Sequence, residues 1–382
     1  MDVNNYSYEW VETLSHLEQI AKVLEQAEII GFDLEADSMY HYFEKVCLIQ
    51  VATENTSYVL DPLAVKDLSP LNPIFSNPRI RKVFHGADYD IRSLYRDFQI
   101  KVENLFDTQL ACKFLGFKET GLEALLRSRF HVDLNKKFQR ADWSERPLSP
   151  EMVEYAAMDG RYLISLARML EKELNEKSRL SWVEEECRLM TQVRFTGPNH
   201  EPLYLRVKGA SHLDPRSLAV LEALLQFREA QAKKMDRPPF KVIRNEALLE
   251  LAQKKPLALE ELEACKVLSQ KQVDRYGTRM LQEIPRVLAI PDQDLPAYPR
   301  EARRVLPPPL QKRIKALKTW RDMRANHLGM EPGVLLNNSL IHSVALKNPR
   351  SKKEMEEVPG LKKWLQDQFN QEILAVLTKG HV

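Results

Sequence analysis

Asp33 and Glu35 lie in the segment IIGFDLEAD, Asp90 lies in VFHGADYDIRSL, and Tyr155 and Asp159 lie in EYAAMDGRYL. Four carboxylates brought together from three separated segments would repel one another unless a divalent cation neutralised them. Hard cations such as Mg²⁺ or Mn²⁺ accept such all-oxygen ligand sets. Two of them about 4 Å apart can activate a water and steady the leaving oxygen during in-line attack at a phosphodiester. The chemistry these residues point to is metal-assisted phosphodiester hydrolysis.

The elements that must position them are legible in outline. The apolar run Ile29, Ile30, Gly31, Phe32 reads as a buried strand that ends in polar residues. Residues two apart on a strand share a face, so Asp33 and Glu35 can converge on one cation. Asp90 follows a second strand-like stretch, residues 82 to 85, and opens a helical pattern through Ile91, Leu94 and Tyr95. Tyr155 and Asp159 are four apart in a helical segment, hence on one helix face. Further strands are expected at residues 45 to 52 and 57 to 60, with mainly helical sequence from about Thr108. Strands first and helices after them fit an α/β mixed sheet flanked by helices.

A lone D-x-E occurs by chance in surface loops, so the ordered set carries the argument. FDLEADSMYHYFEKVCLIQVAT, FHGADYDIRSL and YAAMDGRYL together resemble the three motifs of the DEDD superfamily of 3′-to-5′ exonucleases, in the subclass with a tyrosine in the third motif. The likeness is greatest to the ribonuclease D family and covers roughly residues 10 to 175. It implies a ribonuclease H-like fold and makes Asp33, Glu35, Asp90 and Asp159 the ligands of two divalent metal ions, Mg²⁺ or Mn²⁺. Asp90 matches the second motif because the family's aspartate falls five positions after the histidine of H-G-A, here His85. Asp88 is then expected to cap the following helix. Tyr155 matches the residue that holds the attacking water; an unperturbed phenol pKa of about 10 makes it a poor free base, so positioning describes its role better.

Other residues near these motifs are candidate substrate contacts. Gln50, in LIQVAT, fits the family pattern and would orient a motif or touch the nucleotide sugar. His85 would contact substrate or pack at a strand end. Met39, Tyr40 and Tyr42 can offer apolar surface on which terminal bases stack. Trp143 and Arg146 match a W-x-x-R-P-L segment, where Arg146 would hold a phosphate, or both residues would be structural.

The 382 residues predict two or three domains, and 44% hydrophobic content supplies their cores. No apolar stretch approaches the length of a membrane span, and the first residues are acidic where a leader would be basic, so a cytoplasmic protein is expected. Cys47, Cys112, Cys187 and Cys265 are scattered without C-x-x-C spacing and read as small buried residues. The net charge of +2 hides an asymmetry: residues 1 to 212 hold 26 Lys+Arg against 33 Asp+Glu, whereas residues 294 to 382 hold 16 against 9. Such a layout suits an enzyme that grips a phosphate backbone away from its metal site.

Residues 1 to 175 are taken as the nuclease domain and 176 to 212 as a helical linker containing GPNHEP. Residues 213 to 293 read as several short helices and resemble an HRDC domain, through the Arg-containing amphipathic helix and the D-R-P-P-F turn. A proline-rich bridge at 294 to 310 leads to residues 311 to 382, which repeat the order helix, polar turn, helix and resemble a second HRDC domain. Lys233, Lys234, Arg237, Lys241 and Arg244 cluster around the first turn. Lys315, Lys318 and Arg321 form a possible phosphate-facing stripe on the later helix, so contact of RNA by the HRDC domains is expected. The resemblance implies an exoribonuclease that trims RNA with a free 3′ end, tRNA precursors among them, to nucleoside 5′-monophosphates. A DNA exonuclease and a non-catalytic RNA-binding protein are the alternatives.

Overall fold

A computed structural model describes residues 7–134, 136–195, 197, 201–299 and 306–379, with the side chains of Asp159 and Lys379 outside that description. The chain divides into two compact units: Met1–Ala36, Val46–Phe195 and Val305–Val382 form one, Asp37–Lys45 and Thr196–Arg304 the other.

The first unit is built on β1 (Ser7–Val11), α1 (Leu14–Leu24), β2 (Ile29–Ala36), β3 (Val46–Ala52), β4 (Thr56–Leu60), α2 (Asn72–Phe75), β5 (Arg81–Phe84), α3 (Asp88–Phe98), β6 (Leu105–Asp107) and α4 (Thr108–Leu115). α5 (Leu122–Phe130), α6 (Pro150–Arg161), α7 (Leu163–Glu176) and α8 (Leu180–Met190) follow. The strands make one six-stranded mixed sheet in the order β1-β4-β3-β2-β5-β6. The central β2 is antiparallel to β3 and parallel to β5. This is the α/β mixed sheet flanked by helices expected from the sequence. All four expected strands are present, to within a residue or two at their ends; β1 and the three-residue β6 are additional.

Alternation along β2 explains the sheet's division of labour. Phe32 and Leu34 are buried on one face, where Phe32 packs on Phe75 and Phe84 at ring-centroid distances of 5.1 and 4.8 Å. Gly31, Asp33 and Glu35 occupy the other face, toward α6 and α7. α8 was expected to belong to a connector, yet its Trp182, Val183 and Cys187 are buried in the core of this unit. The GPNHEP segment falls partly outside the described residues.

The second unit contains α9 (Pro215–Met235), α10 (Pro239–Val242), α11 (Asn245–Lys254), α12 (Leu259–Ala264) and α13 (Gln270–Leu288). It is helical as expected, but α9 and α13 are long, at 21 and 19 residues, because each carries an apolar face that runs its length into the same core. The β2–β3 loop belongs to this unit. Asp236, left-handed at the end of α9, accepts hydrogen bonds from the Tyr42 and Phe43 amides at 3.0 and 3.1 Å and pairs with His41 Nδ1 at 2.7 Å.

α14 (Pro308–Leu328), α15 (Pro332–Leu335), α16 (Asn338–Lys347), α17 (Lys352–Glu356) and α18 (Lys363–Lys379) complete the first unit. Trp364 stacks on Trp182 at 4.8 Å with planes 18° apart, and its indole donates to Glu186 at 3.0 Å. The Glu185 carboxylate accepts from the Lys363 and Trp364 amides. The buried Arg179 guanidinium donates to Phe114 O at the end of α4 and to Leu328 O at the end of α14. Both helices stop at a left-handed glycine, Gly116 and Gly329. Of the expected stripe on α14, Lys315 and Lys318 are exposed, whereas Arg321 bonds Asp322, Leu336 O and Asn338; Arg324 on the same helix pairs with Glu372 over the Phe369 ring.

Candidate active site

Asp33 is level with Gln50 across the β2–β3 pair, and Glu35 with Leu48. A register irregularity between Glu35 and Ala36 ends the regular pairing just after the second carboxylate. Because β2 and β5 are parallel neighbours, the end of β2 bearing Asp33 lies beside the end of β5 from which the turn to α3 departs. Ligand crevices form outside such carboxyl ends.

Asp90 is the third residue of α3 and is buried, at 8% exposure. Burial, then the neighbouring negative charges of Asp33 and Asp107, push its carboxyl well above the usual range. Burial likewise pushes Asp33 up to about 6, against the opposing Leu34 backbone hydrogen bond. The fold has thus gathered carboxylates from the first two motifs closely enough for one to perturb the other. Asp88 does not cap the helix as expected. It is already the first helical residue, without a capping hydrogen bond, and its carboxylate pairs with Arg92 one turn on at 2.9 Å. Asp107, which sequence reasoning passed over, organises this turn instead. Its buried carboxylate accepts from the Gly86 and Ala87 amides at 3.0 and 2.9 Å and caps α4 through Gln109 and Leu110 at 2.8 and 3.1 Å. The available signal was an Asp at a strand-to-helix junction, in FDTQLA. Gly86 accommodates the turn with φ of +80°.

α6 carries Tyr155 and Asp159 and starts at Ser149, whose hydroxyl accepts from the Met152 amide. Two close approaches seat it on the Asp33 face of the sheet. The Ser57 hydroxyl donates to Ala157 O at 2.9 Å. A Cβ at Gly31 would stand 3.1 Å from Gly160 O, and one at Gly160 would stand 3.3 Å from the Ala52 Cβ and 4.0 Å from the Gln50 Cβ. The backbone next to Asp159 therefore lies against β2 and β3. Tyr155 packs on Phe138 and Trp143 at 5.7 and 6.1 Å and lines a cavity of about 360 Å³ with Val132, Leu134, Phe138 and Met158.

The remaining candidates have separate fates. Gln50 is fully buried, out of reach of a nucleotide sugar. His85 is also mostly enclosed: its Nδ1 meets the Thr108 hydroxyl at 2.9 Å, and because that hydroxyl donates to Phe84 O, the ring nitrogen is the donor. Burial lowers the His85 imidazole from its ordinary pKa, against the pull of Asp107. Arg146 grips Asp61 through Nε and Nη2 at 2.7 and 2.8 Å and also donates to Cys47 O and Trp143 O, which gives its guanidinium a structural task. Met39 is exposed at 47%, whereas Tyr42 packs against the core of the second unit and Tyr40 lies under the Lys241 ammonium at 3.8 Å. The four cysteines are buried, as expected.

The donor chemistry fits divalent cations: the buried Asp90 and the half-buried Asp33 and Glu35 would repel as anions and gain from a cation placed between them. Among the described residues no group of three or more acidic, histidine or cysteine side chains is already drawn into a cation-binding cluster; the Asp159 side chain is not among them.

The family model described as 3′-5′ exonuclease matches residues 8–175, and that of the HRDC domain matches residues 217–284 and 311–377. Sheet, motifs and helical repeats together define a 3′-5′ exonuclease with HRDC domains. Over 370 residues the chain is 30% identical to ribonuclease D of Acidiphilium cryptum, an alignment spanning 95% of this chain and 91% of the relative. The crystal structure of Escherichia coli RNase D, titled as an exoribonuclease involved in structured RNA processing, superposes with a TM-score of 0.72 at 25% identity over 97% of this chain and 99% of that one. The catalytic core of RRP6 from Trypanosoma brucei gives a TM-score of 0.67 at 31% identity, over 76% and 83% of the two chains. The chain belongs to the ribonuclease D family, and it is a 3′-5′ exoribonuclease.

Proposed function

We propose that the enzyme uses Asp33, Glu35, Asp90 and Asp159 to hold two divalent ions, Mg²⁺ or Mn²⁺, and trims the 3′ ends of tRNA precursors and other small structured RNAs. The observation that carries the site assignment is the approach of Asp33 to the buried Asp90, close enough for its charge to act on the Asp90 carboxyl, with α6 seated on the same sheet face through Ser57 of β4 and Gly160 against β2 and β3. When bound, the ions would supply charge neutralisation at the scissile phosphate and a more acidic water. Water attacks the phosphorus, the bond to the 3′ oxygen of the shortened RNA breaks, and the released nucleotide keeps its 5′-phosphate.

The chain's own residues supply the geometry. Asp33 and Glu35 present two oxygens from one rigid strand face, Asp90 a third from the buried start of α3. Tyr155, wedged against Phe138 and Trp143, holds the attacking water rather than taking its proton. In the second unit, Lys233, Lys234, Arg237, Lys241 and Arg244 are all exposed around the α9–α10 turn, a basic surface for the RNA backbone. No helix among the described residues is long and apolar enough to cross a membrane.

The test is 5′-labelled single-stranded RNA and DNA, and a tRNA with a 3′ extension, incubated with Mg²⁺ or Mn²⁺ and either wild type or Asp33→Asn. Stepwise shortening of RNA that stops at the mature tRNA end, and is absent in the variant, supports the reading. Equal shortening in EDTA would sink the metal assignment, and a preference for DNA would move the substrate to repair intermediates.

A further inference from the structure

Gln50 is fully buried, and neither its Oε1 nor its Nε2 makes a hydrogen bond among the described residues. A buried amide left unpaired costs on the order of 1–3 kcal/mol relative to an apolar side chain of the same shape, so packing does not account for its presence. Its location does. Gln50 is the register partner of Asp33 on the neighbouring antiparallel strand, so the two side chains stand on one face with Cβ atoms about 5 Å apart. From above, the Gly160 backbone closes to within 4.0 Å of the Gln50 Cβ, reckoned from a Cβ placed on the glycine. The amide is enclosed between a candidate metal-binding carboxylate and the helix that carries another.

We propose that Gln50 is a positioning residue for the metal site: with cations bound, its Nε2 donates to the Asp33 carboxylate oxygen turned away from the metal. An ionised carboxylate has more acceptor sites than a single cation uses, and the bond fixes its rotamer. Burial excludes direct contact with RNA, so Gln50 acts through Asp33. The assignment rests on the two-metal reading above.

The experiment compares full-length wild type with Gln50→Met, which keeps the length of the side chain and removes both polar atoms. Mn²⁺ affinity is read by titration of free Mn²⁺ with paramagnetic resonance, and metal-free stability by thermal melting in EDTA. The expected result is a metal-free Tm equal to or above wild type, together with Mn²⁺ affinity weaker by about tenfold or more. Unchanged Mn²⁺ affinity in Gln50→Met would overturn the assignment, whatever the Tm. If Gln50→Met does not fold, Gln50→Asn, which keeps the amide but shortens its reach, decides by the same affinity criterion. Wild type that binds no Mn²⁺ would overturn the metal reading itself and this assignment with it, an outcome distinct from normal wild-type binding that the variants leave intact.

Discussion

Trp182 and Trp364 stack almost face to face, at 4.8 Å and 18°, and so join α8 of the nuclease to the last helix of the second HRDC repeat. Trp364 is 4% exposed and also touches Phe114 and Phe369, so the last helical region is a brace packed into the catalytic body. Trp364→Ala is expected to destabilise this unit by about 3–5 kcal/mol, as for other buried aromatics. Chemical denaturation followed by tryptophan emission measures it. A loss below about 1 kcal/mol would show that the docking is superficial.

Gly116 and Gly329 sit together where α4 and α14 end. Gly116 has φ of +85°, and a Cβ there would overlap Gly329 O. Gly116→Ala must therefore strain both a left-handed residue and a backbone contact. Its Tm should fall by more than that of Gly121→Ala, where added bulk meets nothing within 4 Å and the backbone is extended. Equal melting of the two variants would contradict the close approach.

Asp90→Asn should abolish hydrolysis of RNA while leaving folding and RNA binding largely intact. Asp88→Asn should keep most activity, since Asp88 is exposed and pairs with Arg92 on its own helix. An exposed pair of that kind is worth only about 0.3–0.5 kcal/mol. Reversal of the two outcomes would mean that the second motif is aligned wrongly.

The carboxyl of Asp33, raised by burial to about 6, sets a pH dependence for the metal-free protein. A carboxyl raised in the folded state contributes stability below its ordinary pKa and loses it as pH rises through about 6. In EDTA, Asp33→Asn should therefore melt higher than wild type at pH 7.5, with the advantage shrinking as the pH falls to 5. An advantage that grew toward acid pH would show that Asp33 is instead stabilised as an anion.

How far the sequence foretold this molecule depends on the range of the forces involved. β2 was legible because an apolar run followed by alternation is a local signal, and α6 because Tyr155 and Asp159 share a helical period. β1 was missed because SYEWV is short and mostly exposed, and β6 because three residues carry no periodicity. Of the basic stripe on α14, Lys315 and Lys318 are exposed as the helical spacing suggests, but the Asn338 partner of Arg321 comes from a later helix and could not be read from the spacing. Asp107 needed the fold to show that one carboxylate serves two turns. Gln50 was singled out, yet only the sheet register and its burial separate a contact with RNA from a role behind Asp33.

The brace also has a temporal meaning. Trp364 donates to Glu186 across 178 residues of sequence, and the whole of Thr196–Arg304 is made between the two partners. At about 5–20 residues per second, the apolar face of α8 would wait roughly 10–35 s for α18 to be synthesised. Such long-range closure slows folding and leaves Trp182 exposed to premature contacts. The nuclease motifs are complete in the nascent chain early, but the body that holds them is finished only when α18 clears the ribosome.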